Sequence, residues 1–275
     1  MDKPKLTNAA RPATFEVEAY NERGEMVPTS IAGEHPLTVY VDKHEVVTLM
    51  TLGHAPEALV IGYLRNQRLV DSLDRIESVQ VDWETNAAVV TTRAKKRLRA
   101  LGRKTVTTGC GQGTVYGDLM EEIDKIELER NVFLEDAKLF HLLENVRKHE
   151  TIYKQAGAVH GCALATLEGE IFMFVEDVGR HNAVDAIAGF MWLDAIDGAD
   201  KVFYTTGRLT SEMVIKCTQM RIPFLVSRSG LTHMGHEIAR RVGLTMLGRA
   251  SGRHYLVFTG RERLVRTLPQ PTALA

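Results

Sequence analysis

A chain of 275 residues exceeds one average domain and falls short of three, so one large domain or two modest ones are expected. Hydrophobic residues make up 44% and charged residues 25%, which excludes global disorder and supplies a core that needs no disulfide or metal staples. Lys and Arg number 34 against 35 Asp and Glu, a net charge of −1, so no overall field draws the chain to nucleic acid or to an anionic membrane, and any anion site must be local.

No apolar run is long enough to span a membrane, and Met1-Asp2-Lys3-Pro4-Lys5 lacks the apolar stretch of an export signal. Cys110, Cys162 and Cys217 are odd in number and far apart, which points to free thiols in a reducing cytoplasm.

Residues 1–35 carry scattered proline and charge and read as an N-terminal arm or irregular edge. The runs Leu37–Val41 and Val46–Met50 flank Asp42-Lys43-His44-Glu45, a hairpin signature. Ala55 to Asn66 reads as a helix with Pro56 in its first turn, and Ile76–Trp83 with Ala87–Thr92 as a second hairpin. The segment 36–136 is therefore α+β, and it also holds a basic run and a glycine-rich loop. The run, Arg93 to Lys104, has seven basic residues in twelve positions and no acid, which suits either a solvated face or an anion contact. The loop is Gly109-Cys110-Gly111-Gln112-Gly113.

The remainder, 137–275, is more regular. Ala137 to Ala156 reads as one long amphipathic helix ended by Gly157, a natural residue for a left-handed helix terminus. Strands over Cys162–Leu167 and Ile171–Val175 turn at Glu168-Gly169. Asn182–Trp192, Ser211–Met220 and His233–Val242 read as helices, with strands over Lys201–Thr205, Phe224–Ser227, Thr245–Leu247 and Tyr255–Thr259. Helices alternating with short apolar strands imply a sheet covered by helices, with ligands beyond the carboxyl ends of the strands. The polar clusters fall at those ends: Glu176-Asp177, Thr205-Thr206-Gly207-Arg208 and Ser227-Arg228-Ser229-Gly230.

Cys110 is the candidate reactive residue. Flanking glycines cannot pack a structural thiol, whereas they allow close backbone approach, and upstream cations favour the nucleophilic thiolate. Cys162 and Cys217 read as core residues, and His160 as a hydrogen-bonded residue at a strand entry. Glu176 to Asp185 is the densest polar cluster. Asn182 or Asp177 can cap the following helix, but capping does not require Arg180 and His181 as well, which favours an anion site at a helix N-terminus. Arg208 and Ser211 repeat that logic after the next strand. No Walker A, G-x-G-x-x-G, H-E-x-x-H or G-x-S-x-G pattern is present.

These motifs resemble those of the FdhD family, the sulfurtransferase accessory proteins of formate dehydrogenase. The likeness rests on Glu176 to Asp185, Thr205 to Glu212, Val159-His160, Ser227, Tyr255 to Gly260, Thr48-Leu49-Met50 and Ile61 to Leu64, and spans roughly residues 35 to 265. It implies a homodimer with a cytidine-deaminase-like, three-layer α/β core over 137–275, without the deaminase zinc ligands, beside the smaller N-terminal α+β region. It also implies that Cys110 takes persulfide sulfur from a cysteine desulfurase. The sulfur then passes to the metal of bis-molybdopterin guanine dinucleotide before that cofactor enters formate dehydrogenase. Tyr255, Leu256, Val257, Phe258, Thr259 and Gly260 match the segment that meets the cofactor, and Arg180, His181, Asn182, Arg208 and Ser211 are candidates for its phosphate or guanine. Where the family's loop carries a second cysteine this chain has Gly113, which leaves a non-catalytic cofactor-binding chaperone as the alternative.

Overall fold

Apolar side chains that recur at every second residue line one side of a pleated strand, and Leu37, Val39 and Val41 follow that rule. After strand β1 (Lys5–Leu6), β2 (Thr14–Tyr20) and β3 (Met26–Ala32) form an antiparallel ribbon with Phe15 opposite Ile31 and Ala19 opposite Val27. Within the N-terminal arm, residues 14–32 are thus a regular hairpin, while Lys5–Leu6 forms the edge strand of a larger sheet. Pro28 of the hairpin is tolerated because a two-stranded ribbon needs no donor on its outer side. Strands β4 (His35–Val41) and β5 (His44–Thr51) pair as expected, turning through Asp42 and Lys43 at positive φ. Helix α1 (Pro56–Asn66) and strands β6 (Ile76–Asp82), β7 (Ala87–Thr92) and β8 (Lys104–Val106) follow, giving a six-stranded mixed sheet in the order β1-β6-β7-β4-β5-β8. Leu37, Val39, Val41, Val79 and Val90 are fully buried in its core.

This computed structural model describes residues 3–93, 104–106 and 123–267. The chain divides into two units built from interleaved segments: Met1–Glu121, Glu150–Cys162 and Phe174–Ile196 form unit 1, and Glu122–His149, Ala163–Met173 and Asp197–Ala275 form unit 2.

One expected helix is two. After β9 (Leu134–Glu135), α2 (Asp136–His149) stops and α3 (Ile152–Ala156) begins, so the single helix read over 137–156 is broken at Glu150-Thr151. The cause lies elsewhere in the chain: the Glu176 carboxylate accepts the N–H groups of Thr151, Ile152 and Tyr153 at 2.9–3.1 Å, satisfying the free donors of a new helix start. Gly157 ends α3 at φ 61°, as its position suggested. The break falls where unit 2 gives way to unit 1.

Strands β10 (His160–Thr166) and β11 (Ile171–Asp177) form a hairpin whose turn side, 163–173, counts with unit 2. Helix α4 (Arg180–Leu193) belongs to unit 1, where it crosses α1 at backbone contact; nearly every residue of both helices is buried. The rest of unit 2 runs β12 (Lys201–Thr205), α5 (Ser211–Gln219), β13 (Phe224–Ser227), α6 (His233–Val242), β14 (Thr245–Ser251), β15 (His254–Thr259) and β16 (Leu264–Val265). The second sheet has the order β11-β10-β12-β13-β14-β15. Its β12, β13 and β14 are parallel, and β15 returns antiparallel with two register shifts. Because β12, β13 and β14 stand in chain order, crossovers of the usual right hand put α5 and α6 on one face of this sheet.

Candidate functional site

In unit 1, β11 ends on Glu176-Asp177 and α4 starts at Arg180, with Gly179 as its N-cap. The sequence reading offered Asp177 or Asn182 as the cap; neither fills that position. Instead Asp177 ties two elements together. Its Oδ2 accepts the Thr51 hydroxyl at 2.6 Å and the Leu52 N–H at 3.2 Å, both at the end of β5. Its Oδ1 accepts the Gly179 N–H at 3.1 Å and the Asn182 carboxamide at 2.8 Å. The Asn182 Nδ2 also donates to the Met50 carbonyl at 2.6 Å. Burial pushes the Asp177 carboxyl up to about 6, against the downward pull of the donors from Thr51, Asn182, Gly179 and Leu52.

Arg180, His181 and Asn182 stand together on the first turn of α4, and each is less than 8% exposed. Beside them Cys162 is fully buried, its thiol directed at the Arg180 carbonyl at 3.9 Å, which makes it a core residue as the sequence implied. Cys217 is likewise buried on α5.

Unit 2 brings the other strand-end clusters side by side. Beyond β12 and β13 their loops are stitched: the Leu209 N–H meets the Gly230 carbonyl and the Thr232 N–H meets the Leu209 carbonyl, both at 3.0 Å. Ser227, fully buried, donates to the Gly207 carbonyl at 2.6 Å and accepts the Ser229 N–H at 2.9 Å. The stitching sets the N-termini of α5 and α6 next to each other, with Ser211 half-buried on the first and Arg208 and Arg228 exposed on the two loops. Positive helix ends and exposed guanidinium groups at the carboxyl ends of parallel strands favour an anion.

The segment Tyr255 to Gly260 does not line a single pocket. Tyr255 faces α2, its ring 5.7 Å from that of Phe140, and burial raises its hydroxyl above the usual value with Asp136 adding to the effect. Leu256 is exposed and Val257 half-buried. Phe258, Thr259 and Gly260 line a groove with His236 and Arg240 of α6. Thr259 also has an internal task, donating to the Leu244 carbonyl and accepting the Met246 N–H.

Cys110, its glycine neighbours and the basic residues from Lys95 to Arg103 lie outside the described residues. Among the described residues no group of three or more His, Cys, Asp and Glu is arranged to hold a metal ion. Sequence reasoning missed Thr51, whose only local signal is its place at the end of a strand, and the role of Glu176 as the anchor of α3.

The chain is a mixed α/β protein with polar strand-end loops in unit 2 and a buried carboxylate that joins β5 to α4 in unit 1. The model of the FdhD/NarQ family matches residues 32–265, and the chain belongs to that family. It is 29% identical over 254 residues to the sulfur carrier protein FdhD of Listeria monocytogenes serotype 4b, covering 91% of this chain and 95% of the relative. The sulfur carrier protein FdhD of Sulfurisphaera tokodaii is 28% identical over 253 residues, covering 89% and 95%. In fold, the chain matches a crystal structure from Desulfotalea psychrophila described as a formate dehydrogenase accessory protein. The TM-score is 0.76 at 24% identity, over 92% of this chain and 100% of that one.

Proposed function

We propose that this protein is a sulfur carrier in the maturation of formate dehydrogenase. It takes persulfide sulfur from a cysteine desulfurase onto Cys110 and delivers it to the metal of bis-molybdopterin guanine dinucleotide, its substrate. The observation that carries the reading is family membership over 32–265 together with relatives named as sulfur carriers. Chemically, the Cys110 thiolate attacks the outer sulfur of the donor's persulfide and releases the donor thiolate, so one neutral sulfur atom moves with no net redox change. Release as sulfide then takes two electrons from an external thiol reductant, because Gly113 leaves no second thiol in the loop.

The acceptor is a polyanion. Arg208 and Ser211 at the start of α5 are its proposed phosphate contacts, with Arg180, His181 and Asn182 on α4 and the segment Tyr255 to Gly260 as further contacts. The same reading includes a cytidine-deaminase-like core, a homodimer and a cytoplasmic location. No described helix is long and apolar enough to cross a membrane.

The absence of a second loop cysteine favours one other reading, a chaperone that binds the cofactor and carries no sulfur. Incubation with a cysteine desulfurase and cysteine, followed by intact-mass measurement, separates the two. A gain of about 32 Da that disappears in Cys110→Ala establishes the carrier. An unmodified protein beside a desulfurase that turns over leaves the chaperone.

A further inference from the structure

Two adjacent buried carboxylates close strand β11, and each receives four donors. Glu176 accepts the N–H groups of Thr151, Ile152 and Tyr153 and the Thr151 hydroxyl. Asp177 accepts the Thr51 hydroxyl, the Leu52 and Gly179 N–H groups and the Asn182 carboxamide. The pair differ in what they join. Every donor to Glu176 comes from the start of α3. Those to Asp177 come from two elements far apart in the chain, the end of β5 and the first turn of α4, and Asn182 doubles the tie through the Met50 carbonyl.

A carboxylate offers about four lone-pair sites, so the ionised Asp177 is fully engaged by internal donors and has none left for a ligand. A perturbed carboxyl in the densest polar motif would ordinarily be a candidate acid or base; here all four partners belong to the fold itself, which favours a positioning role. We propose that Asp177 is a positioning residue which, through Asn182 and the Gly179 N–H, fixes the first turn of α4, and with it Arg180 and His181, against the end of β5. The inference rests on the proposed function in one respect, that this turn meets the anionic acceptor.

The two neighbours supply a comparison at one strand end. Asp177→Asn places an NH2 group where two donors arrive, and so breaks two of the four hydrogen bonds. Glu176→Gln does less damage at α3, because three donors share one oxygen and the NH2 group can take the place of the other, which loses only the Tyr153 N–H. Thr51→Val removes one donor to Asp177 without altering the carboxylate, and Thr51→Ser restores the hydroxyl, so the tie remains testable even if Asp177→Asn fails to fold. For each full-length variant the melting temperature, amide-exchange protection at residues 179–184 and calorimetric affinity for guanosine diphosphate would be measured.

Asp177→Asn and Thr51→Val are expected to lose protection at 179–184 and to bind the nucleotide about tenfold more weakly, the equivalent of one hydrogen bond to a charged group. Thr51→Ser is expected to match the parent. Glu176→Gln is expected to melt lower while keeping both the protection and the affinity. Equal loss of affinity in Glu176→Gln and Asp177→Asn would reduce the effect to general stability and overturn the proposal, as would undiminished protection at 179–184 in Thr51→Val. A parent protein that binds no guanosine diphosphate sinks the acceptor reading instead, and the protection pattern then decides the tie by itself.

Discussion

Gly62 of α1 sits against the Asp185 carbonyl of α4 so closely that a Cβ on it would lie 1.7 Å from that oxygen. One turn further along α4 the relation is mirrored: a Cβ on Gly189 would lie 1.9 Å from the Ala58 carbonyl oxygen. Only two glycines allow this backbone-to-backbone crossing, which Arg65 reinforces by donating to the Ala188 carbonyl at 2.9 Å while lying over the Trp192 ring. Burial of that guanidinium, with Arg68 nearby, lowers its pKa to about 10.

Gly62→Ala and Gly189→Ala should each lower the unfolding free energy by about 2 kcal/mol or more, since rigid backbone and not a pliant side chain must yield. The double variant should cost less than the sum, because helices already pushed apart for one methyl have room for the other. Urea denaturation of the three proteins checks both statements.

The Asp177 carboxyl titrates at about 6 when folded, against an ordinary value of 3.8. A raised carboxyl means that the folded chain holds a proton the unfolded chain has released. Its contribution is therefore present in full below about pH 4, shrinks as pH rises through 6, and is flat above that. The stability of the parent relative to Asp177→Asn should accordingly decline between pH 4 and pH 6.5, by at most about 3 kcal/mol. Paired denaturation curves across that range provide the measurement, and a difference that grows with pH would contradict the account.

Ser227→Ala should cost about 1–2 kcal/mol, because it leaves the Gly207 carbonyl and the Ser229 N–H without the hydroxyl that joins them. Amide exchange should quicken at Leu209 and Thr232, whose hydrogen bonds complete the same stitch, and stay unchanged in the β4–β5 hairpin.

Arg208 is exposed, so Arg208→Gln should leave the melting temperature unaltered. Its affinity for guanosine diphosphate should fall by about threefold to tenfold, and the remaining affinity should depend less on salt. Titrations at two ionic strengths test the pair of effects together.

Much of this architecture is legible in the residues themselves. Lys201–Thr205, Phe224–Ser227 and His233–Val242 have the bounds that local pattern assigns them, because a short apolar run after a turn, or a helix closed by Gly243, carries its own limits. Non-local causes are hidden. Nothing between Ala137 and Ala156 announces a break at Glu150-Thr151, since the carboxylate responsible arrives with Glu176. Residues 14–32 of the arm pair with one another although their composition gives no clean alternation. The site was legible as a place and not as a division of labour: Glu176 to Asp185 stands out as a polar cluster, but only the buried partners of Asp177 distinguish a tie from a ligand contact. Thr51, 126 residues away, has no mark in the sequence that could have linked it to that cluster.

The interleaving of the two units bears on how this chain is made. A ribosome that has released the first 121 residues has not yet supplied the helix that covers α1, because α4 ends only at Leu193. Until then Leu59, Ile61 and the glycine face of α1 have no native cover and must be shielded or tolerated. Meanwhile the first residues of unit 2 emerge before unit 1 is complete. A single cut in the gene therefore never yields one unit by itself: 1–196 holds all of unit 1 but also 122–149 and 163–173 of unit 2, and 122–275 holds all of unit 2 but also 150–162 and 174–196 of unit 1.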